Sequence, residues 1–242
     1  MEQGRRGADR MWSLACSLFV AALGAVAPWA AMAAPNTTDF PALATYREAD
    51  QALRAAPTDP RRVVFMGDSI TEFWDKLHEQ LFANPAYVNR GISGQTTQQM
   101  LLRFRQDVIE LKPAAVVILA GTNDVAGNTG PASVEDICGN LASMAELART
   151  HGVKVVLATL VPAAAYPWAK DVQPIGKIGA INAWIRDYAA RKGLTLVDYF
   201  AVMNDGRGGL RPELSGDGVH PNAAGYAIMQ QTLVASLTSS GL

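Results

Sequence analysis

Short apolar runs recur along the chain and alternate with stretches in which apolar positions return every three or four residues. The runs Val63–Met66, Ala86–Asn89, Ala114–Ala120, Val153–Leu160 and Leu194–Asp198 are rich in Val, Ile and Leu. They do not alternate with polar residues, which is the pattern of strands covered on both faces. Helical patterns occupy Glu72–Leu81, Thr96–Glu110, Val134–Arg149, Ile175–Lys192 and Ala223–Leu237. Five strand-helix repeats in a row predict an α/β fold: a five-stranded parallel sheet with right-handed crossovers and helices on both faces, a three-layer αβα sandwich. Functional loops then belong at the carboxyl ends of the strands.

The first residues follow a different pattern. Arg5, Arg6 and Arg10 precede an uncharged run from Met11 to Ala27, and Ala31-Met32-Ala33 supplies the small-x-small site of a signal peptidase. Residues 1–33 are therefore expected to be a signal peptide, and the protein to be exported, to the periplasm or the medium, without stable membrane insertion after cleavage. Residues 34–60 read as a leader helix, Leu43–Ala55, and a linker broken at Pro57-Thr58-Asp59-Pro60. Residues 61–242 read as one catalytic domain.

Charge and cysteine usage narrow the classes of function. With 21 basic against 22 acidic residues, no nucleic-acid or anionic-membrane partner is expected. Of the two cysteines, Cys16 falls in the export segment, which leaves Cys138 with no partner for an internal disulfide. Cys138 is expected to be a buried, inert thiol on a helix. The three histidines are scattered without metal-ligand spacing, so no metal and no cofactor is expected. His78 fits an exposed helix side, and His151 with Gly152 a helix stop.

Four short words stand where loops should be: Gly67-Asp68-Ser69-Ile70, Gly91-Ile92-Ser93-Gly94, Gly121-Thr122-Asn123-Asp124 and Asp217-Gly218-Val219-His220-Pro221. Each alone is what any turn looks like; together they can supply an acyl-transfer site. Ser69, at a strand-to-helix junction, can be a nucleophile or simply a helix N-cap. Asp217 stands three residues before His220, so the carboxylate can hold one ring N–H while the other nitrogen takes the serine proton; the alternative is an exposed pair on a loop. Attack on an ester creates an oxyanion, for which the Ser69 N–H, a glycine N–H after the second strand and the Asn123 amide are available donors. Asn123 can equally pin its own turn.

These words resemble blocks I, II, III and V of the SGNH hydrolases, also called GDSL esterases and lipases, from Arg61 to the C-terminus. The resemblance implies Ser69 as nucleophile, His220 as base, Asp217 as its orienting acid, and Ser69, Gly94 and Asn123 as the oxyanion hole. Gly91 is then left to relieve crowding at the strand end. It also implies a flavodoxin-like strand order. Ile70 replaces the eponymous Leu, a near-isosteric change.

The aromatic, proline-stiffened loop Val161–Trp168 suggests Tyr166 and Trp168 as walls of a substrate pocket, with a packed connector as the alternative. The expected activity is hydrolysis of small-molecule or carbohydrate esters, short acyl esters such as acetyl first. A lysophospholipase or thioesterase is the alternative, since the spacing also resembles the lysophospholipase-like and platelet-activating-factor acetylhydrolase-like branches. A cell-wall sugar O-acyltransferase is another. A non-catalytic binding module would have no need of all five polar groups.

Overall fold

The structure, a computed structural model, describes residues 39–241; the expected signal peptide, residues 1–33, lies outside the described residues. In chain order the elements are α1 Arg47–Ala55, β1 Val63–Gly67, α2 Ser69–Glu72, α3 Trp74–Leu77, β2 Tyr87–Gly91, α4 Thr97–Asp107 and β3 Ala115–Leu119. They continue as α5 Thr122–Ala126, α6 Val134–Thr150, β4 Lys154–Ala158, α7 Pro174–Lys192, β5 Thr195–Val197, α8 Tyr199–Met203 and α9 Ala223–Ser239. The five strands form one parallel sheet in the order β2-β1-β3-β4-β5, the flavodoxin-like order.

Both faces are covered, as the non-alternating runs require. Val64, Met66, Val116 and Ile118 point to one side, against Met100, Phe104, Leu141, Met144, Ile178 and Ile181 of α4, α6 and α7. Val63, Phe65, Val117 and Leu119 point to the other, against Trp74, Tyr199, Met229 and Leu233 of α3, α8 and α9. Each such side chain contributes about 1.5–3 kcal/mol when fully buried, so the two layers together hold the sheet.

Register places the site. Gly67 pairs with both Gly91 and Leu119, so β1, β2 and β3 end at one level and their loops leave the sheet side by side. A methyl group on Gly91 would run into the backbone of Glu72, because α2 crosses directly over the end of β2. Gly91 thus relieves backbone crowding, and only a residue without Cβ lets the two loops approach.

Three expectations need correction. The helix expected over Glu72–Leu81 is instead two single turns, α2 and α3, that meet at Phe73. The chain leaves α3 at His78 and turns inward, so that Leu81 is buried and Phe82 packs edge-on against Phe65 at 5.0 Å, a geometry a continuous helix would not allow. The leader helix begins at Arg47, four residues late. Residues 39–60 are also no linker: Asp39–Leu242 forms one compact unit, to which α1 is joined by a buried ion pair between Asp50 and Arg90.

Candidate active site

Ser69 opens α2 immediately beyond β1. The N-cap of that turn is Asp68, whose Oδ1 accepts from Ile70 N at 2.9 Å, so the Ser69 hydroxyl is free of capping duty. It lies 3.0 Å from His220 Nε2 instead. Tyr226 of α9, packed on the same face of the sheet, donates to Ile70 O at 2.8 Å and braces the same turn. Since α2 is a single turn, its dipole is small, and Asp68 takes the N–H groups of Ile70, Thr71 and Glu72, so the Ser69 N–H matters more than a macrodipole.

His220 and Asp217 share a short loop stapled by a bridge between Ser215 and Pro221. His220 Nδ1 is 2.7 Å from Asp217 Oδ2. A carboxylate can only accept, so the ring proton sits on Nδ1 and Nε2 presents its lone pair to Ser69. The other carboxylate oxygen accepts from the N–H groups of His220 (2.8 Å) and Val219 (2.9 Å). Burial alone would raise the Asp217 pKa, but the hydrogen bonds from the His220 ring and from these two N–H groups outweigh it and hold the carboxyl down at about 2.

The structure brings the expected donors together as well. Gly94, in the left-handed region at φ +78°, turns the loop after β2 toward Ser69. Among the described residues the N–H groups of Ser69 and Gly94 have no hydrogen-bond partner. Asn123 at the start of α5 is buried, and its Nδ2 donates to Gln95 O at 3.0 Å, leaving its second N–H for the cleft. Asp124 holds α5 to the start of α4 by accepting from Thr97 N at 2.9 Å; burial raises its pKa against that bond.

Ser69, Gly94, Asn123 and His220 line an open cleft of about 300 Å³ together with Phe73, Ser93, Asn128 and Trp168. The rings of Phe73 and Trp168 flank His220 at 5.8 and 5.9 Å. A larger cavity of about 640 Å³ lies at the amino ends of β4 and β5, lined by Arg149, Lys154 and Lys192, away from Ser69 and its partners.

Trp168, 45% exposed, walls the cleft, but Tyr166 does not. Tyr166 is 1% exposed, its hydroxyl is bonded to Thr122 Oγ1 at 2.9 Å, and its ring supports Trp168 from behind at 5.3 Å. A residue two positions from Trp168 on this irregular loop faces inward, where the cost of burying its hydroxyl is offset by that bond.

Phe73 and Asn128 were not legible as cleft residues. Phe73 follows Ser69 by four, one turn on, and Asn128 follows Gly127, a left-handed helix stop at φ +79°. Those spacings were the signal available. Cys138 lies buried on α6, and burial pushes its thiol up to about 11.

Comparison with known proteins places the chain in one family. Residues 65–228 match the GDSL-like lipase/acylhydrolase family. The chain is 33% identical over 177 residues to the Esterase TesA of Pseudomonas aeruginosa, covering 67% of this chain and 80% of that protein. The crystal structure of a GDSL-like lipase from Bacteroides thetaiotaomicron superposes with a TM-score of 0.79 and 42% identity, over 83% of this chain and 99% of that one. A variant of an acetyl-xylooligosaccharide esterase from Geobacillus Stearmophilus shares the fold at a TM-score of 0.60 and 22% identity, over 73% and 94% of the two chains.

Proposed function

Given that the chain belongs to the GDSL-like lipase/acylhydrolase family and is a carboxylic ester hydrolase, we propose that it is an exported serine esterase working through an acyl-serine intermediate. The observation that carries this reading is the unbroken path from Ser69 Oγ through His220 to Asp217, at 3.0 and 2.7 Å. His220 takes the Ser69 proton as Oγ attacks the ester carbonyl. The resulting oxyanion is held by the N–H groups of Ser69 and Gly94 and by the Asn123 amide. Collapse breaks the ester C–O bond, and His220 returns the proton to the departing alcohol. Water, deprotonated by His220, then attacks the acyl-serine and releases the acid with Ser69 restored.

Export rests on the Met11–Ala27 run and the Ala31-Met32-Ala33 site. Among the described residues no helix is long and apolar enough to cross a membrane.

A short acyl group on a carbohydrate or small alcohol fits the cleft best. At about 300 Å³ it stands at the small end of ligand pockets, and the Trp168 ring that walls it limits the length of the acyl chain beside the scissile bond. The acetyl-xylooligosaccharide esterase shares only the fold, so acyl length rests on the cleft itself. A panel of nitrophenyl esters of rising chain length, beside acetylated sugars and a lysophospholipid, tests this. A kcat/KM optimum at acetyl to butyryl supports the reading; an optimum at eight carbons or more overturns it in favour of a lysophospholipase or thioesterase.

A further inference from the structure

Asn128 hydrogen-bonds to three parts of the cleft at once, and its neighbours permit one orientation of its amide. The Trp168 indole Nε1–H can only donate, and it reaches Asn128 Oδ1 at 3.1 Å. Asn128 Nδ2 therefore points the other way, toward Gly94 O at 3.1 Å and Asn123 Oδ1 at 2.9 Å. The Gly94 carbonyl can only accept, which demands the same orientation independently.

The consequence falls on Asn123. Its Oδ1 is taken by Asn128 and its Nδ2 by Gln95 O at 3.0 Å, so the amide cannot turn over without losing both bonds. An overturned Asn123 would present its carbonyl oxygen to the cleft, replacing an attraction for a developing oxyanion with a repulsion. The main chain adds to the hold: Gly127 reverses the chain and Asn128 N donates to Asn123 O at 3.0 Å.

We propose that Asn128 is the positioning residue of the oxyanion hole. It orients the Asn123 N–H and holds the Gly94 turn beside it, without touching the reacting atoms itself. This rests on the reading of Asn123 and Gly94 as oxyanion donors. The Asn128 side chain is exposed, so its removal leaves the core intact and the effect falls on turnover.

Steady-state kinetics on nitrophenyl acetate and thermal unfolding of Asn128→Ala, Asn128→Asp, Asn123→Ala and the double alanine variant test the proposal. Asn128→Ala is expected to lose about tenfold or more in kcat with KM within about twofold, the signature of an interaction made in the transition state, while unfolding at the wild-type temperature. Asn128→Asp keeps the size but sets a charged acceptor against Gly94 O and Asn123 Oδ1, so it should lose more than the alanine variant. In the Asn123→Ala background, Asn128→Ala should cost less than it does alone, because its hold on Asn123 is then void and only its hold on Gly94 remains to be lost.

Asn123→Ala with wild-type kcat would mean that the oxyanion reading itself has failed. If Asn123→Ala cripples turnover while both Asn128 variants keep kcat within about twofold, the oxyanion reading stands and the positioning role is overturned. A rise in KM alone, or full additivity in the double variant, would equally overturn it.

Discussion

Asp50 of α1 and Arg90 of β2 form a buried ion pair, Asp50 Oδ1 lying 2.6 Å from Arg90 Nη2 and 2.9 Å from Nε. Its neighbours carry the connection into the site. Tyr46 lies under the Arg90 guanidinium at 4.5 Å and donates to Gly91 O. Arg103, wholly buried, donates to Arg90 O, to Gly67 O and to Gln95 Oε1. One polar network thus joins the N-terminal segment, the strand ends before Ser69 and Gly94, and the residue whose carbonyl orients Asn123.

Removing one partner of such a pair leaves the other charge buried alone. Asp50→Ala is therefore expected to cost about 3–5 kcal/mol, which lowers Tm by about 2–4 °C per kcal/mol in a protein of this size. Unfolding of the variant at the wild-type temperature would show that the pair is idle.

Ser69→Ala should abolish ester hydrolysis, by about a thousandfold or more, with no loss of fold. The structural reason is that Asp68, not Ser69, caps α2, so among the described residues the hydroxyl has no bond to give up except the one to His220. Circular dichroism and ester hydrolysis measured on the same preparation check both halves; a few per cent of residual activity would contradict the assignment.

The pH profile should show a single protonation on its acid side. With Asp217 held at about 2, the carboxylate stays charged throughout the working range, so its protonation adds no step to the acid limb. A plot of log kcat/KM against pH is expected to rise with a slope of one. A slope of two would mean that Asp217 also takes its proton within the working range.

Asp68 makes a prediction of opposite sign for stability. Its side chain is 1% exposed, and burial pushes its carboxyl from 3.8 up to about 7. Unfolded chains ionise it near the lower value, so folding is penalised increasingly as pH rises between the two, by about 1.4 kcal/mol per unit at most. Asp68→Asn keeps an acceptor for Ile70 N and removes the charge. The Tm of the variant, relative to wild type, should widen upward from pH 4.5 to 8; a gap that does not change with pH would refute the penalty.

Trp168→Ala should move the chain-length optimum upward by two or more carbons while leaving the Ser69–His220 pair intact. Each methylene accommodated in the space vacated is worth about 0.8 kcal/mol, several-fold in kcat/KM. An unchanged optimum would mean that the ring bounds the alcohol side of the cleft and not the acyl side. Tyr166→Phe, behind it, should leave the optimum where it is.

The strands and most helices were legible in the chain because covered strands and packed helices write their period locally. Val63–Met66 and Ala114–Ala120 have no other reading, and Ser133 with Asp136 caps α6 as a local box. His220 and Asp217, three residues apart on a stapled loop, are legible for the same reason. Where the outcome depended on a partner far along the chain, the pattern was silent. Asp50 and Arg90 are ordinary charges in sequence, and a turn after α3 that buries Leu81 looks like more helix.

By itself the sequence determined which residues have the chemistry for acyl transfer, and that they follow strands of one parallel sheet, because strand burial and loop position are set over a few residues. Only the tertiary structure decided how that chemistry is held. The shared level of Gly67, Gly91 and Leu119 brings three loops together, Tyr166 turns inward while Trp168 faces out, and Asn128 reaches Gly94, Asn123 and Trp168. Most of these depend on the direction of a side chain or the register of a pairing between residues far apart in the chain, as with Thr122 and Tyr166, 44 apart, and such directions are set by close packing and not by local period.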